Sequence, residues 1–167
     1  ANILSLLWAY LNKLGPLFSN DIRQLKRRKS RICLRGDTQI KGVDFNETFS
    51  PTISFDSYHI ILAIAARNHW VVLHGDAKQA FPNGELEEEV YSTMPPGFQE
   101  YDEEGNRIYL RIIRSVYGLR QAARQWYTAM SKILLTCGFF RTHGDSCVFV
   151  RNKEQSKVLI GTHVDDT

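Results

Sequence analysis

The sequence predicts an α+β fold, because short runs with strand-like character alternate with longer segments whose apolar residues recur at helical spacing. The 167 residues, 43% of them apolar, are enough to bury one sizeable core. No apolar run reaches the ~20 residues of a membrane span. The apolar N-terminus also lacks the basic region and cleavage site of a signal peptide, so an intracellular protein is expected.

The part of the chain before Asp76 is predicted to contain two helices and two strands. Alternating cations and apolar residues predict that one of the strands is half buried and carries its cations on the open face. The other strand is apolar and ends just before Asp76. The four elements are a helix over residues 1–14, a strand over Arg31–Arg35, a helix from Ser57 to Asn68 and a strand over Trp70–His74.

The part after Asp76 is predicted to contain four strands and one long helix. Pro82-Asn83-Gly84 marks a turn, and Gly138 ends the helix. The elements are strands at Val90–Thr93 and Ile108–Ile113, a helix over Leu119–Thr136, and strands at Cys147–Arg151 and Lys157–His163.

The net charge is only +3, but the cations are unevenly spread. One cluster lies within Arg23–Arg35 and a second within Arg107–Arg124. Such clusters suit a polyanion, although a solvated charged face is the simpler interpretation of either one alone. The three cysteines form no CxxC pair, which argues against a disulfide framework or a structural zinc site.

Three carboxylates follow predicted apolar strands: Asp76 follows Trp70–His74, and Asp165-Asp166 follow Lys157–His163. If the two strands are neighbours in one sheet, these carboxylates converge at its edge. Hard oxygen ligands of this kind bind Mg²⁺, and paired ions support phosphoryl transfer. An Asp pair in an ordinary turn is the alternative.

From Lys29 to Asp166 the chain resembles the reverse transcriptases of copia-type retrotransposons, with matching segments in the family's order. The segments are Lys29–Gly36 (family KARLVARG), Gly42–Pro51 (GVDFNETFSP), Asp76–Gly84 (DVKTAFLNG), Ser115–Tyr127 (SLYGLKQAPRQWY) and His163–Asp166 (YVDD). Residues 1–28 match only faintly. The resemblance implies that residues 29–167 form the fingers and part of the palm, with an antiparallel palm sheet packed on helices.

The resemblance also implies a role for each matching residue. The acidic residues would bind two Mg²⁺ ions, with Mn²⁺ as the substitute, and an aromatic residue would exclude a ribose 2′-OH. The acidic residues are Asp76, Asp165 and Asp166, and the aromatic residue is Phe81. Tyr117 and Gly118 would line the nucleotide pocket, Lys29 and Arg31 would hold the triphosphate, and His163 would contact the primer.

The implied function is an RNA-directed DNA polymerase that adds dNTPs to a primer 3′-OH on an RNA or DNA template. The rest of the Pol polyprotein would supply the thumb, RNase H and integrase. The resemblance implies a cytoplasmic virus-like particle with a nuclear phase, and no membrane partner is expected. A catalytically inactive remnant that only binds nucleic acid is the first alternative, and a metal-dependent nuclease is the second.

The chain departs from the family pattern inside its motifs. His163 replaces a Tyr, Pro82 a Leu, Ala123 a Pro and Asp37 an aromatic residue. These changes fit a decaying genomic copy. Because the chain ends at Thr167, directly after the acidic pair, it is also expected to be a fragment with little primer extension of its own.

Overall fold

Two units make up the chain in the computed structural model, which describes residues 2–14, 25–153 and 156–164. The first unit comprises Ala1–Asn46 and Leu86–Arg120, and the second comprises Glu47–Glu85 and Gln121–Thr167. Sheets and two α-helices occur together among the described residues, which confirms a fold of mixed helix and sheet. No helix in the described part of the chain is long and apolar enough to cross a membrane.

A long antiparallel hairpin dominates the first unit. Strand β2 (Leu6–Leu14) pairs with β3 (Leu25–Leu34) from Leu6 opposite Leu34 to Lys13 opposite Arg27. The predicted helix over residues 1–14 is therefore wrong, and β1 (Ile3–Leu4) and β2 replace it. Apolar residues at successive positions satisfied the helical pattern, but pairing with the neighbouring strand decided the structure.

A three-stranded sheet completes the first unit, in the order β1, β4 (Glu85–Thr93) and β5 (Tyr109–Arg114). Strand β1 runs parallel to β4, with Leu4 opposite Ser92. Leu4, Val90 and Ser92 are fully buried and form the centre of this layer. The predicted strands at Val90–Thr93 and Ile108–Ile113 are confirmed, the first as the end of a longer strand.

Helices α1 (Phe55–Arg67) and α2 (Ala122–Thr136) belong to the second unit. The side chain of Ser54 accepts a hydrogen bond from the backbone N–H of Ser57, so the cap of α1 is Ser54 and not the predicted Ser57. Helix α2 begins three residues later than predicted, and Gly138 follows it with a φ of +82°, the left-handed conformation expected after a helix.

The sheet of the second unit is antiparallel, in the order β6 (Phe140–Arg141), β7 (Val148–Lys153) and β8 (Ser156–Gly161). Strand β7 supplies most of the core, because Val148, Phe149 and Val150 are all buried. The predicted hairpin of the last two strands is confirmed, although β8 ends at Gly161 and not at His163.

The strand predicted over Trp70–His74 does not form in the structure. Val71 and Leu73 are 84% and 83% exposed, and this segment belongs to none of the sheets of the described residues. Its β-branched composition favours a strand, but a strand also needs a partner ladder. Asp76 is the first residue after this segment to make an isolated β-bridge.

Candidate functional site

Asp76 presents an exposed carboxylate in the second unit. Within the described part of the chain, this side chain takes part in none of the hydrogen bonds or ion pairs. A carboxylate with free lone pairs in solvent is a suitable oxygen ligand for a hard divalent ion. Asp165 and Asp166, the other two predicted ligands, lie outside the described residues, and no group of three metal-ligating side chains occurs among the residues that are described.

Phe81 begins a 3-10 turn, Phe81–Asn83, five residues after Asp76. The Asn83 side chain donates a hydrogen bond to the Gln79 carbonyl at 3.0 Å, which closes the loop that precedes the turn. Gln79 has a φ of +53°, a conformation that costs a side-chain-bearing residue about 1 kcal/mol or more. Phe81 itself is half buried and packs against the cluster of Ala80, Trp126 and Met130.

His163 and Val164 are the last described residues before the acidic pair. His163 is exposed and makes an isolated β-bridge. Val164 has a φ of +58°, which is an outlier for a β-branched residue and costs about 1–3 kcal/mol unless its surroundings hold it. The chain therefore enters Asp165 from a strained left-handed residue.

Trp126 on α2 holds that strained residue. Its indole Nε1 donates a hydrogen bond to the Val164 carbonyl at 2.6 Å. The same ring is only 8% exposed and packs with Ala80 and Met130, with Ala77 and Phe81 against the cluster. Sequence reasoning missed this role, since a bond between residues 38 positions apart leaves no local pattern.

Arg31 and Tyr117 meet in the first unit. The guanidinium carbon of Arg31 lies 5.3 Å from the centre of the Tyr117 ring, within the range of a cation–π contact worth about 0.5–1 kcal/mol at exposed sites. Lys29 lies two residues before Arg31 on β3, and alternate residues of a strand point to the same face. The two predicted triphosphate ligands thus share one face of the hairpin.

Gly118 packs directly on the end of β3. A Cβ atom built on Gly118 would lie 2.0 Å from the Leu34 carbonyl oxygen, and its φ is +97°. The backbone N–H of Leu34 donates to the Tyr117 carbonyl at 2.8 Å, so the turn and the strand are joined backbone to backbone. Only glycine combines this φ with this approach. The structure therefore brings Tyr117, Gly118 and Arg31 together within the first unit.

Hydrogen bonds of Arg120, which the sequence did not reveal, hold the backbone that follows this turn. The Gln39 Oε1 accepts a hydrogen bond from the Arg120 backbone N–H at 2.8 Å, and the Arg120 Nε donates to the Gly36 carbonyl at 2.8 Å. The guanidinium of Arg120 also lies 5.5 Å from the Phe45 ring centre. Gln39 is buried, so these contacts fix the backbone just after Gly118.

Arg35 does not continue the cationic face of β3 as predicted, because the strand ends at Leu34. Its guanidinium pairs with the Asp37 carboxylate. The hydrogen bond between the two side chains raises the pKa of Arg35 and lowers the pKa of Asp37. Both side chains are exposed, so the pair adds little to stability.

Comparison with known proteins shows what the chain is similar to. The family model described as "Reverse transcriptase (RNA-dependent DNA polymerase)" matches residues 4–167. The retrovirus-related Pol polyprotein from transposon RE2 of Arabidopsis thaliana is 36% identical over 159 residues, which is 95% of this chain and 10% of that polyprotein. The corresponding polyprotein from transposon TNT 1-94 of Nicotiana tabacum is 37% identical over 144 residues, 86% of this chain and 11% of the relative.

A more distant relative comes from yeast. The Ty1-MR1 Gag-Pol polyprotein of Saccharomyces cerevisiae is 31% identical over 139 residues, 83% of this chain and 7% of the polyprotein. The chain therefore spans about a tenth of the length of the curated relatives it matches. No solved structure shows a significant match.

Proposed function

The chain belongs to the reverse transcriptase family, with copia-type Pol polyproteins as its relatives, and from this premise we propose that it is the fingers and front palm of an RNA-directed DNA polymerase. The polymerase adds dNTPs to a primer 3′-OH on an RNA or DNA template. The family match over residues 4–167, with acidic residues at the matching motif positions, carries this proposal.

The proposed catalytic residues are Asp76, Asp165 and Asp166, all of the second unit. Asp76 and His163 each make an isolated β-bridge, and His163 lies directly before the turn at Val164 that leads to Asp165.

The carboxylates would hold two Mg²⁺ ions, or Mn²⁺ in their place. When bound, such ions lower the pKa of the attacking hydroxyl and neutralise charge on the leaving oxygen. The chain's own contribution is positional: the exposed Asp76 offers its oxygens, and the bond from Trp126 fixes the carbonyl of Val164, the residue directly before the acidic pair. His163, two residues before Asp165, is proposed to contact the end of the primer.

The proposed nucleotide-binding residues are cations, a turn that carries an aromatic residue and a glycine, and a packed phenylalanine. Lys29 and Arg31 supply cations for the triphosphate, and the planar guanidinium suits phosphate oxygens. Tyr117 and Gly118 would line the nucleotide pocket, on a turn that is held backbone to backbone against Leu34. Phe81 would reject a ribose 2′-OH, which requires a rigid ring, and its packing against Ala80 and Trp126 provides that rigidity.

A second candidate function is nucleic-acid binding without catalysis. The observation that favours it is the hairpin face on which Arg27, Lys29 and Arg31 alternate. This face would neutralise phosphates whether or not the carboxylates act.

The proposed partners of an active enzyme are template, primer, dNTPs and the remaining Pol polyprotein, in a cytoplasmic particle with a nuclear phase.

Primer extension by the parent polyprotein enzyme separates the two functions. Asp76→Asn and Asp165→Asn are each expected to lower extension by more than about 100-fold, since each removes charge stabilisation from the reacting phosphoryl group. Template binding should stay within about twofold of the wild type. The matched control is Asp56→Asn, an exposed carboxylate in the first turn of α1. Extension that survives both site substitutions would leave only the binding function.

A further inference from the structure

Trp126 is linked to both segments that carry the proposed catalytic carboxylates, by a hydrogen bond to one and through a shared buried cluster to the other. Its indole N–H bonds to the carbonyl of Val164, the residue before Asp165. Its ring belongs to a buried cluster against which Ala77, the residue after Asp76, also packs. Every one of these residues belongs to the second unit.

The hydrogen bond acts on the peptide group that leads into the acidic pair. The Val164 carbonyl and the Asp165 amide share one planar unit, so fixing the oxygen fixes the direction in which the chain enters Asp165. Val164 holds an unfavourable φ of +58°, and such a conformation persists only where its surroundings over-determine it. The 2.6 Å bond from Trp126 is a contact of the required kind.

The backbone of α2 is held in place at Trp126 and at the next residue. A Cβ atom built on Gly84 would lie 2.9 Å from the Trp126 backbone nitrogen, so the turn after Phe81 rests directly on α2 at this position. The neighbouring Tyr127 donates its hydroxyl to the Ser146 carbonyl at 2.8 Å. A donor that is fixed in this way transmits its position to its acceptor.

We propose that Trp126 is a positioning residue, whose hydrogen bond to Val164 fixes the backbone that leads into the acidic pair and thereby raises the affinity of the proposed site for metal. The inference rests on the proposed function, because it requires that these carboxylates bind metal together. It differs from a purely structural role, since an ordinary core tryptophan contributes to stability without changing the metal affinity of the folded protein.

Binding of Mn²⁺ to the full 167-residue chain, followed by electron paramagnetic resonance, tests this role. Trp126→Phe keeps most of the ring and removes the donor, and we expect its dissociation constant for Mn²⁺ to rise about tenfold, the change that loss of one hydrogen bond produces. The matched control is Trp70→Phe, the same chemical change at a half-buried tryptophan outside the cluster. Its affinity should equal that of the wild type.

A rescue variant separates positioning from general loss of structure. Val164→Gly removes the penalty of the left-handed conformation, so in the Trp126→Phe background the turn can keep its shape without the bond. We expect the double variant to recover at least about threefold of the lost affinity. Circular dichroism during urea titration checks that each variant is folded at the concentrations used.

An isosteric analogue guards against a Trp126→Phe variant that does not fold. β-(3-Benzothienyl)alanine at position 126 replaces the indole N–H with sulfur and preserves the bicyclic ring, so the core stays filled. The same tenfold weakening is expected. Wild-type affinity for Mn²⁺ in the folded analogue would overturn the inference.

Two further variants distinguish failure of this inference from failure of the proposed function. If Asp76→Asn and Asp165→Asn abolish Mn²⁺ binding while Trp126→Phe leaves it unchanged, the metal site stands and the positioning role is wrong. If the two Asp variants bind Mn²⁺ as the wild type does, the proposed metal site falls, and the role of Trp126 falls with it.

Discussion

Substitution of Gly118 by alanine tests the packing that joins the Tyr117-Gly118 turn to the cationic strand. The new Cβ atom would stand 2.0 Å from the Leu34 carbonyl oxygen and 3.1 Å from the Leu34 nitrogen. Both are backbone atoms of β3, so no side chain can rotate away to relieve the clash. The φ of +97° adds a conformational penalty of its own.

The expected cost combines several contributions of known size. A left-handed conformation costs an alanine about 1–2 kcal/mol, and overpacking about 1–3 kcal/mol. If the strand shifts, the 2.8 Å bond from Leu34 to Tyr117 is also lost, at about 1 kcal/mol. We expect Gly118→Ala to lower the free energy of unfolding by about 2–5 kcal/mol if β3 keeps its place, and by about 3–6 kcal/mol if the end of β3 shifts and the bond is lost.

Two other glycines provide matched controls. Gly105 has a φ of +83°, but no heavy atom lies within 4 Å of the point that a Cβ atom would occupy, so Gly105→Ala should cost only the conformational penalty of about 1–2 kcal/mol. Gly144 has neither the left-handed φ nor a neighbour within 4 Å, so Gly144→Ala should be neutral or stabilise the protein by up to about 1 kcal/mol.

Urea titration gives the unfolding free energy of each variant, and amide hydrogen exchange at Leu34 reports the local effect on the strand. The three substitutions should rank with Gly118 most costly, Gly105 intermediate and Gly144 least. If Gly118→Ala costs no more than Gly105→Ala, and Leu34 stays protected, the close backbone contact does not exist in solution.

Three more expectations concern other parts of the molecule. Cys137 is exposed, whereas Cys147 is fully buried and burial raises its pKa, so a thiol reagent should modify Cys137 at once and Cys147 only as fast as the protein unfolds; equal rates would contradict the burial. Burial raises the pKa of Asp145, but hydrogen bonds from the Ser54 and Cys147 backbone N–H groups outweigh this and lower it overall. The ionised Asp145 therefore stabilises the fold above its ordinary pKa of 3.8, and this stabilisation is lost as the pH falls below that value. Asp145→Asn should lower the free energy of unfolding by about 1–3 kcal/mol at pH 7 and make that free energy fall less steeply as the pH drops below about 4. An unchanged fall with pH would refute this. Lys29→Ala should reduce the slope of log affinity for single-stranded nucleic acid against log salt by about 0.7, while Lys132→Ala on α2 should leave it unchanged; equal slopes would favour a merely solvated face.

The elements that sequence reasoning predicted correctly are those decided by local pattern. Helix α2 combines apolar spacing with a terminal Gly138, and the β7–β8 hairpin combines two apolar strands with a short polar connection. The incorrect predictions depended on distant partners. Residues 6–14 became a strand because β3 pairs with them, and Trp70–His74 stayed irregular despite its composition. Long-range pairing overrides propensity in both cases.

The candidate site divides in the same way. Residues such as Asp76 and Tyr117 could be named from motifs, because chemistry requires particular side chains at particular positions. The contacts that orient them could not, since the bond from Trp126 to Val164 spans 38 residues and the bond from Arg120 to Gln39 spans 81. Neither distance leaves a periodic signal in the sequence.

The departures from the family pattern fall where the fold accepts them. Pro82 occupies an early position of the 3-10 turn, where its backbone nitrogen has no hydrogen bond to lose. Ala123 stands in the first turn of α2, where backbone N–H groups have no helical partner, so replacing a proline there leaves the helix intact. His163 is exposed and its bridge involves the backbone, which any side chain permits. The motif changes that suggested a decaying copy thus give no physical reason for a loss of fold, and decay would have to act through the chemistry of the site itself.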